Sequence, residues 1–241
     1  MSRYQIYDDS PEIPMTESTI TLSKETIKIL RNFSEINDKG LMIQQGHRQR
    51  TQNNFKSIVG YMEIKESFPK QFGIWDLNEF LNVFSLFKEP TLDFSSEGVV
   101  VFKDGDRELN FYECDHESVL TPPTSFPEPD FVTRFPVSKS TISSIVRFKK
   151  KLELNTLTLR SSGDRVVEIN VFYDDLIGTS NGHIYKQFLK IDRPVEKFHH
   201  KIHLEHFKII PDDYECFVSK KPSCTKWTSS IGTYYLSGES D

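Results

Sequence analysis

The sequence predicts an α+β protein built from two similar halves, and three observations predict it. A helical segment occurs twice, many short alternating segments bounded by turn residues read as strands, and a proline-rich stretch separates the two sets. The repeat pairs residues 22–33 with 137–148. Ser23/Ser138, Lys24/Lys139, Thr26/Thr141, Ile27/Ile142 and Phe33/Phe148 coincide at an offset of 115 positions, while Leu22/Val137 and Leu30/Ile145 stay apolar. Each copy opens on a serine, a favoured N-cap because its hydroxyl can accept from an otherwise unpaired amide of the first turn.

Taken in order, residues 1–19 form an acidic extension, with Asp8, Asp9, Glu12 and Glu17 against the single Arg3. A first domain spans 20–114. It opens with the basic helix at about 22–36, followed by strands at 40–45 and 54–65, the latter rich in β-branched and aromatic residues. The polar stretch 47–54, with Arg48 and Arg50, reads as a loop between them. A second helix at 75–87 is capped by Asp76 and repeats Leu77, Phe80, Leu81, Phe84 and Phe87 at helical spacing, a core-facing stripe. Strands at 91–95, 98–103 and 107–114 close this half, the last two joined by the turn signal Lys103-Asp104-Gly105-Asp106.

Residues 115–136 carry five prolines, at 122, 123, 127, 129 and 136, and read as an extended connector. The second domain, 137–241, replays the first: a basic helix at 138–151, strands at 153–160, 165–173, 184–191 and 197–202, a short helix at 203–210 stopped by Pro211, and strands near 214–219 and 226–236.

Both basic helices have two faces. Lys24, Lys28 and Arg31 share one stripe of the first, opposite Ile29, Leu30, Phe33 and Ile36. Lys139, Arg147 and Lys150 share a stripe of the second, while Ile142, Ile145, Phe148 and Leu152 point mostly away. One such stripe is an ordinary solvated face. Its repetition on a repeated helix points instead toward a polyanionic partner.

The net charge of −5 does not mark the chain as a nucleic-acid binder, yet a bulk charge says nothing about where cations gather. Three cysteines, Cys114, Cys216 and Cys224, with no CxxC spacing, exclude a disulfide framework and a zinc site and fit a reducing compartment. Apolar runs such as Val99-Val100-Val101-Phe102 are too short to span a bilayer, so no membrane partner is expected, and no secretory signal is expected at the N-terminus.

Catalytic signatures are missing: there is no GxxxxGK[ST], GxSxG or HExxH. The pairs Asp174-Asp175 and Asp212-Asp213 fall in turns, where aspartate is common for backbone reasons. His199, His203 and His206 would share a face on one continuous helix and could then hold a metal. With His199 and His200 placed on a strand, no metal or cofactor is expected, and the cluster reads as a polar face that titrates near neutral pH.

Residues 22–37, from Leu22-Ser23-Lys24 to Phe33-Ser34-Glu35-Ile36-Asn37, resemble the first helix of the DNA polymerase sliding clamps of T-even-type bacteriophages. Trp75-Asp76-Leu77-Asn78-Glu79-Phe80-Leu81-Asn82-Val83-Phe84-Ser85-Leu86 resembles the second. Phe135-Pro136-Val137, Arg147, Leu152, Phe207-Lys208-Ile209-Ile210-Pro211 and Tyr214 follow in the family's order, so the resemblance covers about 22–236. It implies the DNA-clamp fold, with two domains each repeating a βαβββ unit, and a processivity factor without enzymatic activity. It further implies a homotrimeric ring around double-stranded DNA, opened by an ATP-driven clamp loader, tethering a DNA polymerase and supporting late viral transcription in the cytoplasm of an infected bacterial host.

Carried over residue by residue, Lys24, Arg31, Arg147 and Lys150 match hole-facing basic positions, and Lys208 matches one at the end of the fourth helix. Lys28, Lys139, Lys149 and Lys151 join them from helical spacing. His203 and His206 depart from the uncharged residues of that fourth helix, so charge near the DNA would depend on pH. Phosphate contacts carry no sequence information, which suits a sliding protein. The partner-peptide pocket of the family lies under the connector, pointing here to Val119, Leu120, Pro211, Tyr234 and Leu236.

Subunit contacts are expected on edge strands at 109–113 and 185–190, with Leu109, Phe111, Tyr185 and Phe188. Proline placed in 185–190 should give a monomer. Two rival readings stand beside the clamp. A non-ring scaffold of clamp-like fold would show no concentration-dependent mass. A hydrolase or nuclease using the His or Asp clusters would lose activity with EDTA.

Overall fold

The computed structural model describes residues 18–37, 39–174 and 182–239. The expected acidic extension therefore lies outside the described residues except for Ser18 and Thr19, and so does Asp175.

The first half runs β1 (Thr19–Thr21), α1 (Lys24–Ile36), β2 (Leu41–Ile43), β3 (Gly46–Gln52), β4 (Ile58–Phe68), β5 (Phe72–Ile74), α2 (Leu77–Ser85), β6 (Thr91–Asp93), β7 (Val99–Asp104) and β8 (Arg107–Tyr112). The second runs β9 (Phe131–Val137), α3 (Lys139–Leu152), β10 (Thr156–Ser161), β11 (Val166–Phe172), β12 (Ile184–Lys190), β13 (Phe198–His203), β14 (Tyr214–Ser219), β15 (Cys224–Ser229) and β16 (Gly232–Ser237). The order is the same in both halves, save that no helix stands between β13 and β14.

The helices begin as the repeated serines predict. The Ser23 hydroxyl accepts from the Thr26 amide at 3.3 Å, and the Ser138 hydroxyl accepts from the Thr141 amide at 3.3 Å. Each start is also tied to a strand region by a carboxylate. Glu66 of β4 accepts the Ser23 amide at 2.7 Å and the Thr26 hydroxyl, while Asp213, just before β14, accepts the Lys139 amide at 2.7 Å. Asp213 thus serves a helix N-terminus, where negative charge is favoured by the unpaired amides. Asp76 does the same for α2, accepting from Asn78 and Glu79.

The apolar stripes then dictate the packing. Leu30 and Phe33 of α1, Phe80 of α2, and Ile142 and Ile145 of α3 are wholly buried, joining one continuous core with the inner faces of the strands.

Sheet order explains the architecture. One four-stranded sheet is β1-β6-β7-β8, another is β12-β11-β10-β13, and β2 pairs with β5. A six-stranded sheet, β3-β4-β16-β15-β14-β9, joins the halves where β16 pairs antiparallel with β4, Tyr234 opposite Gly60. Gly232 opens β16 at φ 145°, and a Cβ there would collide with the Tyr61 carbonyl, so close approach of the two strands requires glycine. Behind the joint, the buried Tyr234 hydroxyl donates to Asn32 Oδ1 at 2.7 Å and accepts from the Ile210 amide at 3.3 Å. Tyr234→Phe should leave both partners buried and unpaired, lowering stability by about 1–3 kcal/mol. A urea midpoint unchanged from the native protein would refute this.

Three expectations are corrected. Residues 203–210 form a single turn rather than a helix. The Leu204 amide is drawn to the Asn155 carbonyl, Asn32 Nδ2 holds the Lys208 carbonyl, and Ile209 and Ile210 go to the core, so the chain leaves the helical path before Pro211. Residues 46–52 are strand β3 rather than a loop. Gln49, Thr51 and Gln52 are buried there, and Gln49 is bonded in place: Gln49 Nε2 donates to the Gln44 and Gly46 carbonyls, and Gln49 Oε1 accepts from the Gln44 amide. The expected strand 226–236 is a hairpin of β15 and β16 turning at 230–231. In addition, β9 starts inside the proline-rich stretch and pairs with β14.

Candidate nucleic-acid interface

Four basic residues of α1 and α3 meet at one hollow. A hollow of about 290 Å³ between the two helices is lined by Lys28 and Arg31 from α1, Lys149 and Lys150 from α3, and Lys208 and Pro211 from the segment that replaces the fourth helix. Lys24, Lys28, Arg31, Lys139, Arg147, Lys150 and Lys151 are exposed.

Two lysines differ. Lys149 is half-buried, its ammonium donating to the Leu204 carbonyl at 2.6 Å, and burial followed by the charge of Lys208 pulls its pKa down. Lys208 donates to the Glu35 carbonyl at 2.5 Å. Both therefore brace the hollow from inside, while Lys28, Arg31 and Lys150 keep their charges toward solvent.

A second hollow of about 300 Å³ continues this face onto α2, lined by Arg31, Glu35, Asn78 and Asn82. The two asparagines carry amide donors beside Arg31 and extend the face with neutral polarity. The sequence held this signal, since both lie on the polar side of α2, but no cation marked it.

His203 and His206 border this region, with ring centroids 5.7 Å apart. Burial, then the charge of His203, lowers the pKa of His206 below the ordinary 6.5; Lys208 and Lys149 act in the same direction and Glu205 opposes them. A folded-state pKa below the unfolded one means that the unfolded chain takes up the proton first. Stability is therefore present above about pH 6.5 and lost as pH falls through and below it. His206→Gln should flatten that acid-side loss, read as unfolding free energy against pH; an unchanged slope would refute the assignment. Among the described residues no three His, Cys, Asp or Glu side chains gather to hold a metal ion. Of the acidic pairs, Asp174 binds Lys201 at 2.9 Å and Asp212 faces Ser230.

Three of the residues expected to form a peptide pocket, Val119, Tyr234 and Leu236, are buried. Val119 packs against Gly40, Leu120 is half-buried, and Pro211 lines the hollow between α1 and α3. Tyr234 and Leu236 are wholly buried in the main core. Side chains alternate along a strand, so the connector side of β16 carries Tyr235, which packs with Val59, Tyr61 and Cys224 in a separate apolar cluster. That alternation was available in the sequence as the pattern of 232–237.

The expected contact strands are both sheet edges: β8 ends one four-stranded sheet and β12 ends the other. Leu109, Phe111 and Tyr185 turn toward the helices, Phe111 against Phe80 at 5.2 Å and Tyr185 on Phe148 at 4.3 Å. Phe188 is 60 % exposed, and two residues not singled out in the sequence share this condition, Tyr112 at 73 % and Ile184 at 53 %. Large apolar side chains on free strand edges mark surfaces that pair with something else.

No protein-family model matches the chain. The sliding clamp of Vibrio phage KVP40 is 35 % identical over 143 residues, 58 % of this chain and 64 % of that protein, so the match spans less than two thirds of that relative's length. The sliding clamp of Escherichia phage RB69 is 23 % identical over 225 residues, 91 % of this chain and 97 % of that protein. Among solved structures, PCNA of A. fulgidus, bound to the C-terminal region of FEN-1, aligns with a TM-score of 0.67 at 12 % identity, covering 92 % of this chain and 98 % of that one. The Helicobacter pylori beta clamp bound to a DNA ligase peptide aligns with a TM-score of 0.65 at 12 % identity, covering 97 % and 69 %.

Proposed function

Because this chain is a homologue of the phage sliding clamps and has the DNA-clamp fold, we propose that three copies close head to tail into a ring around duplex DNA. One observation carries the reading. β16, the last strand of the second half, pairs with β4, the third strand after α1. Their counterparts in the repeat are β8, the last strand of the first half, and β12, the third strand after α3, and each leaves one edge open. The joint made once inside the chain is thus left half-made at both ends, and pairing β8 of one copy with β12 of the next would make it again.

The remaining features fit this ring. Stripes from α1 and α3 of three copies would line the hole with lysine and arginine, whose phosphate contacts are independent of sequence. A ring holds DNA by topology, so a net charge of −5 is no obstacle. The clamp would tether a DNA polymerase, be placed by a clamp loader and serve late transcription in the host cytoplasm, without an enzymatic activity of its own. Among the described residues no helix is long and apolar enough to cross a membrane.

Light scattering across a dilution series tests the ring. The expected mass is about three times the 28.1 kDa of one chain, with retention on nicked circular DNA that disappears when the circle is cut. A monomer at every concentration would favour the non-ring scaffold and end this reading.

A further inference from the structure

Residues 1–17 precede β1 and carry a charge that the ring does not use. Asp8, Asp9, Glu12 and Glu17 stand against Arg3 alone, and Ile6 and Tyr7 come just before the paired aspartates. The hollow between α1 and α3 has the opposite character. Lys28, Arg31, Lys149, Lys150 and Lys208 line it against one carboxylate, Glu35. Its remaining lining includes the buried Phe207, Ile209 and Ile210, so the cations surround an apolar floor. An occupant matched to it combines paired carboxylates with an apolar or aromatic side chain, which is the chemistry of Ile6-Tyr7-Asp8-Asp9.

The two are within reach inside one chain. Ser18 is followed by β1, and Ser23 caps α1. From Ser18 to Lys24 the backbone spans at most about 22 Å, and from Lys24 to Lys28 the helix rises about 6 Å. The chain from Asp8 to Ser18 extends to about 33 Å, enough to cover both. Lys28, Arg31 and Lys150 are exposed, whereas Lys149 and Lys208 already donate to carbonyls. The three exposed cations are therefore the ones open to a carboxylate.

We propose that residues 1–17 are a built-in competitor for this hollow, with Asp8 and Asp9 against Lys28, Arg31 and Lys150 and Tyr7 over the apolar floor, and that a phosphate backbone displaces them. The contact lies within one chain and does not need the ring; naming duplex DNA as the displacing polyanion rests on the ring reading above. Surface ion pairs are individually weak, but a short tether holds the acidic segment at roughly millimolar effective concentration. The segment therefore occupies the hollow when no polyanion is present and yields to one. It lowers apparent DNA affinity by the fraction of hollows left open.

Photocrosslinking locates the segment. Full-length protein with Tyr7→p-benzoylphenylalanine should crosslink within its own chain to the peptides carrying Val146 or residues 207–211. Lys28→Ala with Arg31→Ala and Lys150→Ala should cut that yield by about fivefold or more, as should an excess of a short duplex. Crosslinks gathered instead at the other lysine-lined hollow, with Lys197, Lys220 and Lys221, or yields indifferent to the triple variant, would overturn the proposal.

Anisotropy of a short labelled duplex at low salt measures the competition. Asp8→Asn, Asp9→Asn, Glu12→Gln and Glu17→Gln together should raise affinity by about threefold to tenfold, and the gain should vanish in the triple-alanine background. Removing the same charge from the exposed Glu89, Glu97, Asp106 and Glu117 should leave affinity near native; an equal gain there would reduce the effect to bulk charge and end the proposal. The two readings fail separately. A specific crosslink with no duplex binding by either chain keeps the docked segment and ends the DNA reading, while duplex binding without the crosslink does the reverse.

Discussion

Ile184→Asp combined with Phe188→Asp should hold the protein as a monomer at concentrations where the native chain is trimeric. Both side chains are more than half exposed on β12 in the single chain. In the free monomer the aspartates stay in water, and the unfolding free energy should move by no more than about 0.5 kcal/mol. In the proposed ring the same positions would meet β8 of the next copy, beside the exposed Tyr112. Two carboxylates would be taken from water there without a partner, a cost of about 3–5 kcal/mol for one uncompensated buried charge. Subunit dissociation should strengthen by about a hundredfold or more, since each 1.4 kcal/mol is tenfold. Light scattering and urea unfolding on the same samples decide it: a trimer with both aspartates in place would remove β12 from the interface.

Replacing Lys28, Arg31, Arg147 and Lys150 by alanine should weaken duplex binding and flatten its salt dependence. Each phosphate that is no longer neutralised takes about 0.9 off the slope of log affinity against log salt. All four are exposed side chains on α1 and α3, so the fold should be nearly unaffected. Lys149→Ala should behave in the opposite way. Its ammonium is committed to the Leu204 carbonyl, so the substitution should leave the salt slope close to native and lower stability instead. Anisotropy of a labelled duplex over a salt series checks both; a slope that falls equally for Lys149→Ala would show that its ammonium reaches DNA.

The contrast between Lys149 and its neighbours shows where sequence reading ends. Helical spacing placed Lys28, Arg31 and Lys150 on an exposed face, because charge and period are local properties. It could not separate Lys149, whose partner is a carbonyl 55 residues away. The serine caps, the Asp76 cap and the strands expected at 107–114 and 184–191 were legible for the same local reason, each being specified within a few residues, whereas their place at sheet edges was expected only from the resemblance.

The segment 203–210 was not legible. Its apolar spacing resembles that of α2, but Asn155 and Asn32 capture its backbone groups from distant elements. The polar strand β3 was hidden because a run of polar residues reads as a loop when a buried one such as Gln49 is satisfied by nearby backbone. The resemblance pointed to Tyr234 and Leu236 as pocket residues, whereas the alternation of β16 sends them to the core and gives Tyr235 to the connector.

The unequal edges of the two sheets have a consequence for assembly. Pairing β8 of one copy with β12 of another joins two different surfaces, so every addition leaves one edge of each kind still open. Such a heterologous joint has no built-in end; it stops only when successive rotations return to the start, about 120° per copy for three, and otherwise continues as a helical fibre. That rotation is set by the twist of the sheets and by the angle at which β4 meets β16. A change at Gly60 or Gly232, remote from every interface between copies, would therefore be expected to yield polymers of indefinite length.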